Sequence, residues 1–365
     1  MSGGVDSSVA AALLLREGYD VIGCFMRLGS PKGVELTETC DIDTGKSRKQ
    51  GCCSVNDAAD ARRVANQLGV PFYVLNFQDD FGRVIDYFTN EYNAGRTPNP
   101  CVRCNDWLKF GKLEEYATAI GADFVASGHY ARVQNNADTG ERELLRGVDT
   151  SKDQSYVLFG VTDEALARML LPVGGFTKTR IRELAEELDL PVFDKPDSQE
   201  ICFVPDQDYA GLVERRTGTF AAGDIVDTGG RRLGEHGGFQ RFTVGQRRGL
   251  GISAKVPLYV IQTEPSSNIV VVGTKQDLLS TGLVATQINL VHSSLRNANG
   301  PINCTAKIRY NAQPIAATCE QTGVDQLSVT FDEPQSAVAP GQAVVLYDGD
   351  LVLGGGWIKS AIARE

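Results

Sequence analysis

Over the first two hundred residues, short apolar runs alternate with stretches whose apolar positions recur every three or four residues. Val9 to Arg16 reads as a helix and Asp20 to Met26 (DVIGCFM) as a buried strand. Asn56 to Leu68 reads as an amphipathic helix with Ala58, Ala61, Val64, Ala65 and Leu68 on one face. A strand follows at Pro71 to Leu75, a helix around Leu113 to Ile120, a strand at Phe124 to Ser127 and a helix at Thr177 to Leu188. Strands alternating with helices predict an α/β domain whose parallel sheet is covered on both faces. The polar stretch Lys32 to Gly51 reads as a mobile loop.

The period changes after about Pro205. Glycine becomes frequent, and the runs GDIVD, FQRFTVGQ, PLYVIQ and NIVVVG predict a small, mostly-β segment ending near Lys275. From Leu278 onward LVATQINLV, NCTAKIRY, QLSVTF, AVVLYDGD and LVLGGGWI predict a small β-barrel. The expected domains are therefore 1–205, 206–277 and 278–365.

Composition narrows the setting. A chain of 365 residues can build two or three cores, and 42% hydrophobic with 22% charged residues is ordinary for a globular protein. No apolar run is long enough to span a bilayer and none resembles a signal peptide, which points to the cytoplasm and away from membranes. The net charge of -10 argues against indiscriminate nucleic-acid binding. It leaves room for a local basic face, because charges act over a screening length of about 8 Å. The doublets Arg215-Arg216, Arg231-Arg232 and Arg247-Arg248 are each either solvated charge or a grip on phosphate. Nine cysteines in a reducing compartment point to catalysis or metal binding rather than a disulfide framework.

Three constellations carry chemistry. Ser2-Gly3-Gly4-Val5-Asp6-Ser7-Ser8 is a glycine turn running into a helix, where free N–H groups and a partial positive charge favour an anion. It lacks the lysine of the GxxxxGK[ST] phosphate loop. A plain helix cap is the simpler reading of Ser-Gly-Gly alone, but not of the whole string. Thr97-Pro98-Asn99-Pro100-Cys101-Val102-Arg103-Cys104-Asn105 places a CxxC after a proline-fixed turn. It supports half of a zinc site, a redox pair, or a nucleophile with an assisting thiol. Zinc is disfavoured, since the adjacent Cys52-Cys53 has the wrong spacing and only His129, His236 and His292 offer nitrogen ligands. In Asp197-Ser198-Gln199-Glu200-Ile201-Cys202-Phe203-Val204 the lone cysteine by itself reads as an inert core residue. Cys24, Cys304 and Cys319 also read as core, and Cys40, Cys52 and Cys53 have no assigned role.

Taken in order, SGGVDSS, TPNPCVRCNDWLKFG, ASGHYARV, SKDQSYVLFG, KPDSQEICFVP, FTVGQRRGLG, AKIRY and PGQAVVLYDGD resemble the tRNA-specific 2-thiouridylases almost end to end. The resemblance implies an N-terminal doubly wound, adenine nucleotide alpha-hydrolase-like domain of the ATP-pyrophosphatase superfamily, a small central tRNA-contacting domain and a C-terminal β-barrel. It implies ATP-dependent sulfur transfer to C2 of the wobble uridine in a tRNA anticodon stem-loop. Adenylylation turns the C2 oxygen into a leaving group, pyrophosphate is lost, and sulfur replaces the oxygen with release of AMP. By the same resemblance Cys202 receives persulfide sulfur from a cysteine desulfurase relay, and Cys104 is the nucleophile that ends in a disulfide with it. A flexible segment around residues 195 to 205 would carry Cys202 to the site. Met1, Ser2, Gly3, Gly4, Val5, Asp6, Ser7, Met26 and Gly128 match ATP contacts, with Asp6 holding Mg2+ near the phosphates. Asn99, Pro100 and Cys101 match the segment that receives the flipped base, as an enzyme working on a buried C2 requires. His129, Lys152, Asp153, Gln154, Arg309, Tyr310 and Gln342 match further tRNA contacts.

The chain departs from the pattern at Cys101, where many members carry an aspartate suited to general acid–base work. A thiol with an ordinary pKa of about 8.5 takes that role only if perturbed. Cys101, Cys104 and Cys202 also make the three-thiolate set that related RNA-thiolating enzymes use to hold a 4Fe–4S cluster, which keeps a cluster-dependent mechanism as an alternative. Another ATP-dependent ligase with the same loop is a second alternative, and a non-catalytic RNA-binding protein a third. Finally, a doubly wound fold places such a loop after a central strand, so a strand of about 5–6 residues is expected upstream of Met1 in the natural protein.

Overall fold

The computed structural model describes residues 1–29, 55–197 and 201–363, so the loop expected over Lys32 to Gly51, with Cys40, Cys52 and Cys53, lies outside the described residues. The chain divides into two compact units. The first comprises Met1–Val84, Cys101–Asp208 and Asp350–Val352; the second comprises Ile85–Pro100, Tyr209–Gly349 and Leu353–Glu365.

The alternation read from the sequence appears as α1 (Val5–Arg16), β1 (Gly23–Arg27), α2 (Val55–Leu68), β2 (Phe72–Asn76) and α3 (Gln78–Asn93). β1 and β2 pair in parallel, from Gly23 opposite Phe72 to Arg27 opposite Asn76. The apolar stripe of α2 is buried at Ala61, Val64 and Ala65. The chain then forms α4 (Pro100–Cys104), a π-helical stretch over Asn105–Lys112, α5 (Leu113–Ala119) and β3 (Val125–Ala126). An antiparallel hairpin of β4 (Ala131–Asn135) and β5 (Arg142–Arg146) follows, then α6 (Asp163–Ala167), β6 (Met169–Leu170) and α7 (Lys178–Glu187). β3 and β6 also pair in parallel, so the described parallel pairing comes in two separate two-stranded pieces. One core cluster joins Val5, Val9 and Ala10 of α1 to Val64 of α2, Tyr130, Val173, and Ile181, Leu184 and Ala185 of α7. This packing fixes the start of α1, and hence the glycine turn, against α7.

In the second unit α8 (Tyr209–Thr217) precedes a four-stranded sheet. Its strands β7 (Gly223–Asp227), β8 (Arg232–His236), β9 (Tyr259–Glu264) and β10 (Ile269–Gly273) lie in the order β8-β7-β10-β9. The run FQRFTVGQ, expected among the strands, is a 3-10 turn over Phe239–Arg241 followed by irregular chain. Its Phe239 and Phe242 are buried in the small core beside Ile225, Val260 and Val270, so the apolar residues plug a core rather than line a sheet. The C-terminal barrel consists of β11 (Leu279–Asn289), β12 (Ile302–Lys307), β13 (Ile315–Gly323), β14 (Gln326–Ser336), β15 (Ala343–Asp348) and β16 (Leu351–Ala363), with the short α9 (Ser293–Arg296) after β11. Its order is β11-β14-β13-β12-β15-β16, and β11 also pairs with β16, closing an antiparallel six-stranded barrel. Closure leaves no strand edge to protect.

Candidate active site

The glycine turn is built as the sequence requires. Gly3 has φ +76°, and a side chain there would drive its Cβ to within 2.2 Å of the Asp57 carbonyl oxygen at the start of α2. Gly4 is the N-cap of α1 and supplies no side-chain cap. The Ser7 hydroxyl accepts from the Ser2 backbone N–H at 3.0 Å, and the Ser8 hydroxyl donates to the Gly4 carbonyl at 2.8 Å. The turn is therefore closed on itself by its serines, and the N-cap of α1 supplies no side-chain cap.

Gly128 lies against the other side of this turn. A Cβ at Gly128 would meet the Asp6 carbonyl carbon and the Ser7 nitrogen at 2.7 Å each. Its neighbour His129 is buried, with Nδ1 2.7 Å from the Ser127 hydroxyl and Nε2 3.3 Å from the Lys109 ammonium. Burial, and secondarily Lys109, pushes its pKa well below the usual histidine value, so the imidazole is neutral. Met26 lies half-buried in β1, opposite Leu75.

Sequence reasoning missed the ionic network around the turn. Lys178, the first residue of α7 and 9% exposed, places Nζ 2.7 and 2.9 Å from the two carboxylate oxygens of Asp6. The Tyr130 hydroxyl donates to the same carboxylate at 2.7 Å, and burial followed by Asp6 raises the Tyr130 pKa. Lys178 also reaches Asp197 at 2.9 Å, where Arg182 at 2.8 Å and Lys152 at 3.0 Å converge on the same carboxylate. Burial opposes ionisation of Asp197, yet the hydrogen bonds from Lys178 and Lys152 prevail and hold its pKa at about 2. Lys195, two residues earlier, donates to the Gly3 carbonyl at 2.9 Å and pairs with Asp57 and Asp60 at 2.7 Å each. So the chain leading into the Cys202 segment is tied to the glycine turn through Lys195 and Asp197. Residues 198–200, part of the segment expected to be flexible, lie outside the described residues.

The thiols occupy different settings. Cys101 is exposed, Cys104 and Cys202 are half-buried, and the six described cysteines are thiols rather than disulfides. The neighbours of Cys202 do the burying: Phe203 and Val204 are enclosed, and Phe203 packs edge-on against Phe81 with ring centroids 5.6 Å apart. Cys319 is fully buried as expected, whereas Cys24 and Cys304 are half-buried. Among the described residues no three His, Cys, Asp or Glu side chains are gathered where they could hold a metal ion, so Cys101, Cys104 and Cys202 do not form a cluster cradle as they stand.

The remaining expected contacts fall into two kinds. Asp153 is buried and accepts from the backbone N–H groups of Gly147 and Ser155 and from Arg146, all at 3.1 Å, so it staples its own loop. Gln154 exchanges hydrogen bonds with the Tyr130 backbone. Lys152, by contrast, is 40% exposed. In the second unit Asn99 is buried, with its N–H 3.4 Å from the Tyr87 hydroxyl. Pro100 is enclosed too. Gln342 donates to the carbonyls of Thr97 and Pro98 at 3.1 and 3.0 Å, bracing the proline turn. Arg309 and Tyr310 are exposed just beyond β12, with the Lys307 ammonium over the Tyr310 ring at 5.9 Å.

Three family models match the chain. They are a tRNA methyl transferase HUP domain over residues 1–206, a tRNA methyl transferase PRC-barrel domain over 212–274, and an aminomethyltransferase β-barrel domain over 280–358. Among curated proteins, the tRNA-specific 2-thiouridylase MnmA of Rhodopirellula baltica is 49% identical, covering 99% of this chain and 96% of its own. The proteins of the same name from Carboxydothermus hydrogenoformans and Geobacter metallireducens are 49% and 50% identical. They cover 99% and 100% of this chain, and 97% and 96% of their own. A solved structure of the U34-tRNA thiolase NcsA from Methanococcus maripaludis with its 4Fe–4S cluster is 19% identical. It covers 60% of this chain and 64% of that one at a TM-score of 0.32, too low to carry an argument.

Proposed function

The chain belongs to the tRNA-specific 2-thiouridylase family and is a tRNA sulfurtransferase, and from that premise we propose how its residues divide the reaction. The first unit binds ATP at the glycine turn, with the α1 N-terminus, Gly3, Gly4, Ser7 and Gly128 against the phosphates. Asp6, whose carboxylate is oriented by Lys178 and Tyr130 and keeps acceptor capacity beyond those three hydrogen bonds, would be the residue to hold Mg2+, which would neutralise phosphate charge there. The C2 oxygen of the wobble uridine attacks the α-phosphate, pyrophosphate leaves, and the C2–O bond is primed to break.

Sulfur then comes from a persulfide on Cys202, loaded by a desulfurase relay protein in the cytoplasm. The Cys104 thiolate attacks the Cys202 sulfur, forming a Cys104–Cys202 disulfide and releasing the outer sulfur as hydrosulfide. Hydrosulfide adds at C2, AMP departs with the oxygen, and a proton is lost as the C=S bond forms. An external dithiol reduces the disulfide to restart the cycle. The observation that supports this best is the ionic link Asp6–Lys178–Asp197, which ties the nucleotide turn to the segment leading into Cys202.

The test measures pyrophosphate release and tRNA nucleosides together. Release that requires both ATP and tRNA, with 2-thiouridine formed when a persulfide donor is present, is expected. Release without tRNA, or thiolation without ATP, contradicts the scheme.

A further inference from the structure

The three basic doublets of the central segment are not equivalent. Arg216 is paired with Asp86, and Arg215 has an interaction of its own. Arg231 pairs with Asp227 at 3.1 Å, and Arg232 with Asp224 at 2.7 Å and also with Glu235. Among the described residues, no carboxylate is in ion-pair contact with Arg247 or Arg248, nor with Lys255 in the same loop. All three are exposed.

The loop carrying them is held firmly. The Gln246 side chain accepts from the Thr243 N–H and donates to the Arg248 carbonyl, each at 3.1 Å. The backbones of Gly245 and Gln246 bond to Val260 of β9 at 2.8 and 2.9 Å. Leu250 is buried in the small core between Ile225, Val260 and Val270, with Ile252 and Leu258 packed against it. Around this anchor the loop borders an open groove of about 460 Å³ whose lining includes Arg247 and Lys255. Arg247 and Lys255 line the same groove and Arg248 adjoins Arg247, so three cations with no ion-pair partner among the described residues share one loop in a chain of net charge -10, a local positive field suited to phosphate.

We propose that Arg247, Arg248 and Lys255 form a clamp for the sugar–phosphate backbone of the tRNA substrate. The other two doublets take no part, since their charge is already engaged within the protein. This rests on the tRNA-thiolating reading above.

The experiment measures tRNA affinity of the full chain between about 50 and 200 mM salt. It compares the wild type, the triple variant Arg247→Ala/Arg248→Ala/Lys255→Ala, and the control Arg231→Ala/Arg232→Ala. Removing one cation from a phosphate lowers the slope of log K against log[salt] by about 0.7–0.9. The triple variant is expected to reduce that slope by roughly 2 and to bind tRNA on the order of 10-fold or more weakly. Its KM for tRNA should rise while pyrophosphate release at saturating tRNA stays near wild type, which also shows that it folds. The control should keep the wild-type slope. A wild-type slope in the triple variant, or an equal reduction in the control, overturns the clamp. A wild-type chain that binds tRNA without thiolating it overturns the reaction reading instead, and the slopes still decide the clamp.

Discussion

Asp106 carries a charge that its surroundings oppose. It sits at the second position of the π-helical stretch, two residues past Cys104, with its carboxylate pressed against Gly160. Its Oδ1 is fully enclosed and finds no hydrogen-bond partner among the described residues. Burial raises its pKa from 3.8 to about 7, against the opposing pull of Arg103. The folded chain therefore holds a proton that the unfolded chain has lost between these two values, and stability falls as pH rises through that window. The difference of about 3 pH units, at 1.36 kcal/mol each, sets a ceiling of about 4 kcal/mol at pH 8. The residue as a whole is only half-buried, so an effect of about 1–3 kcal/mol is expected. Asp106→Asn removes the titration while keeping the shape. At pH 8 the Asn variant should melt about 2–10 °C higher than wild type, and the gap should close as pH falls to 5. Thermal melts followed by circular dichroism at pH 5, 6, 7 and 8 give this comparison. A gap independent of pH, or a wild type more stable at pH 8, would refute the reasoning.

Three other changes have defined outcomes. Gly128→Ala forces a Cβ into the Asp6–Ser7 backbone; ATP binding measured by calorimetry should weaken on the order of 10-fold or more, at about 1.4 kcal/mol per decade, with tRNA affinity retained. Lys178→Met breaks two charged hydrogen bonds to Asp6 and one ion pair to Asp197. At about 1.5–3 kcal/mol for a charged bond, kcat/KM for ATP should fall roughly 10- to 150-fold, read as pyrophosphate release. Gly160→Ala brings a Cβ within 2.4 Å of both Asp106 carboxylate oxygens. It should lower the melting temperature, and Asp106→Ala in the same chain should restore most of the deficit, since it removes the clashing group.

Much of this was legible in the chain before folding. The stripe of α2 and the glycine turn with its serines follow local rules, and both appear where those rules place them. The ionic network does not follow local rules: Lys178 and Asp6 are 172 residues apart, and only the packing of α1 on α7 brings them together. No element is expected from sequence over residues 78–93, although Phe81, Val84, Ile85, Phe88 and Tyr92 recur there at helical spacing and are all buried in the long helix α3. FQRFTVGQ misled because its phenylalanines face the small core from a turn, where burial does not require a strand. Asp153 and Gln154 share a motif with Lys152, yet sequence cannot tell a buried staple from an exposed contact. The backbone donors that saturate Asp153 are set by the fold of its own loop.

The most direct test of sulfur transfer through two thiols uses Cys104→Ser and Cys202→Ser, each in the full chain, with ATP, tRNA and a persulfide donor. Mass spectrometry of the tRNA nucleosides should show no 2-thiouridine with either variant, while tRNA binding and tRNA-dependent pyrophosphate release persist. Full 2-thiouridine formation by either variant would contradict it.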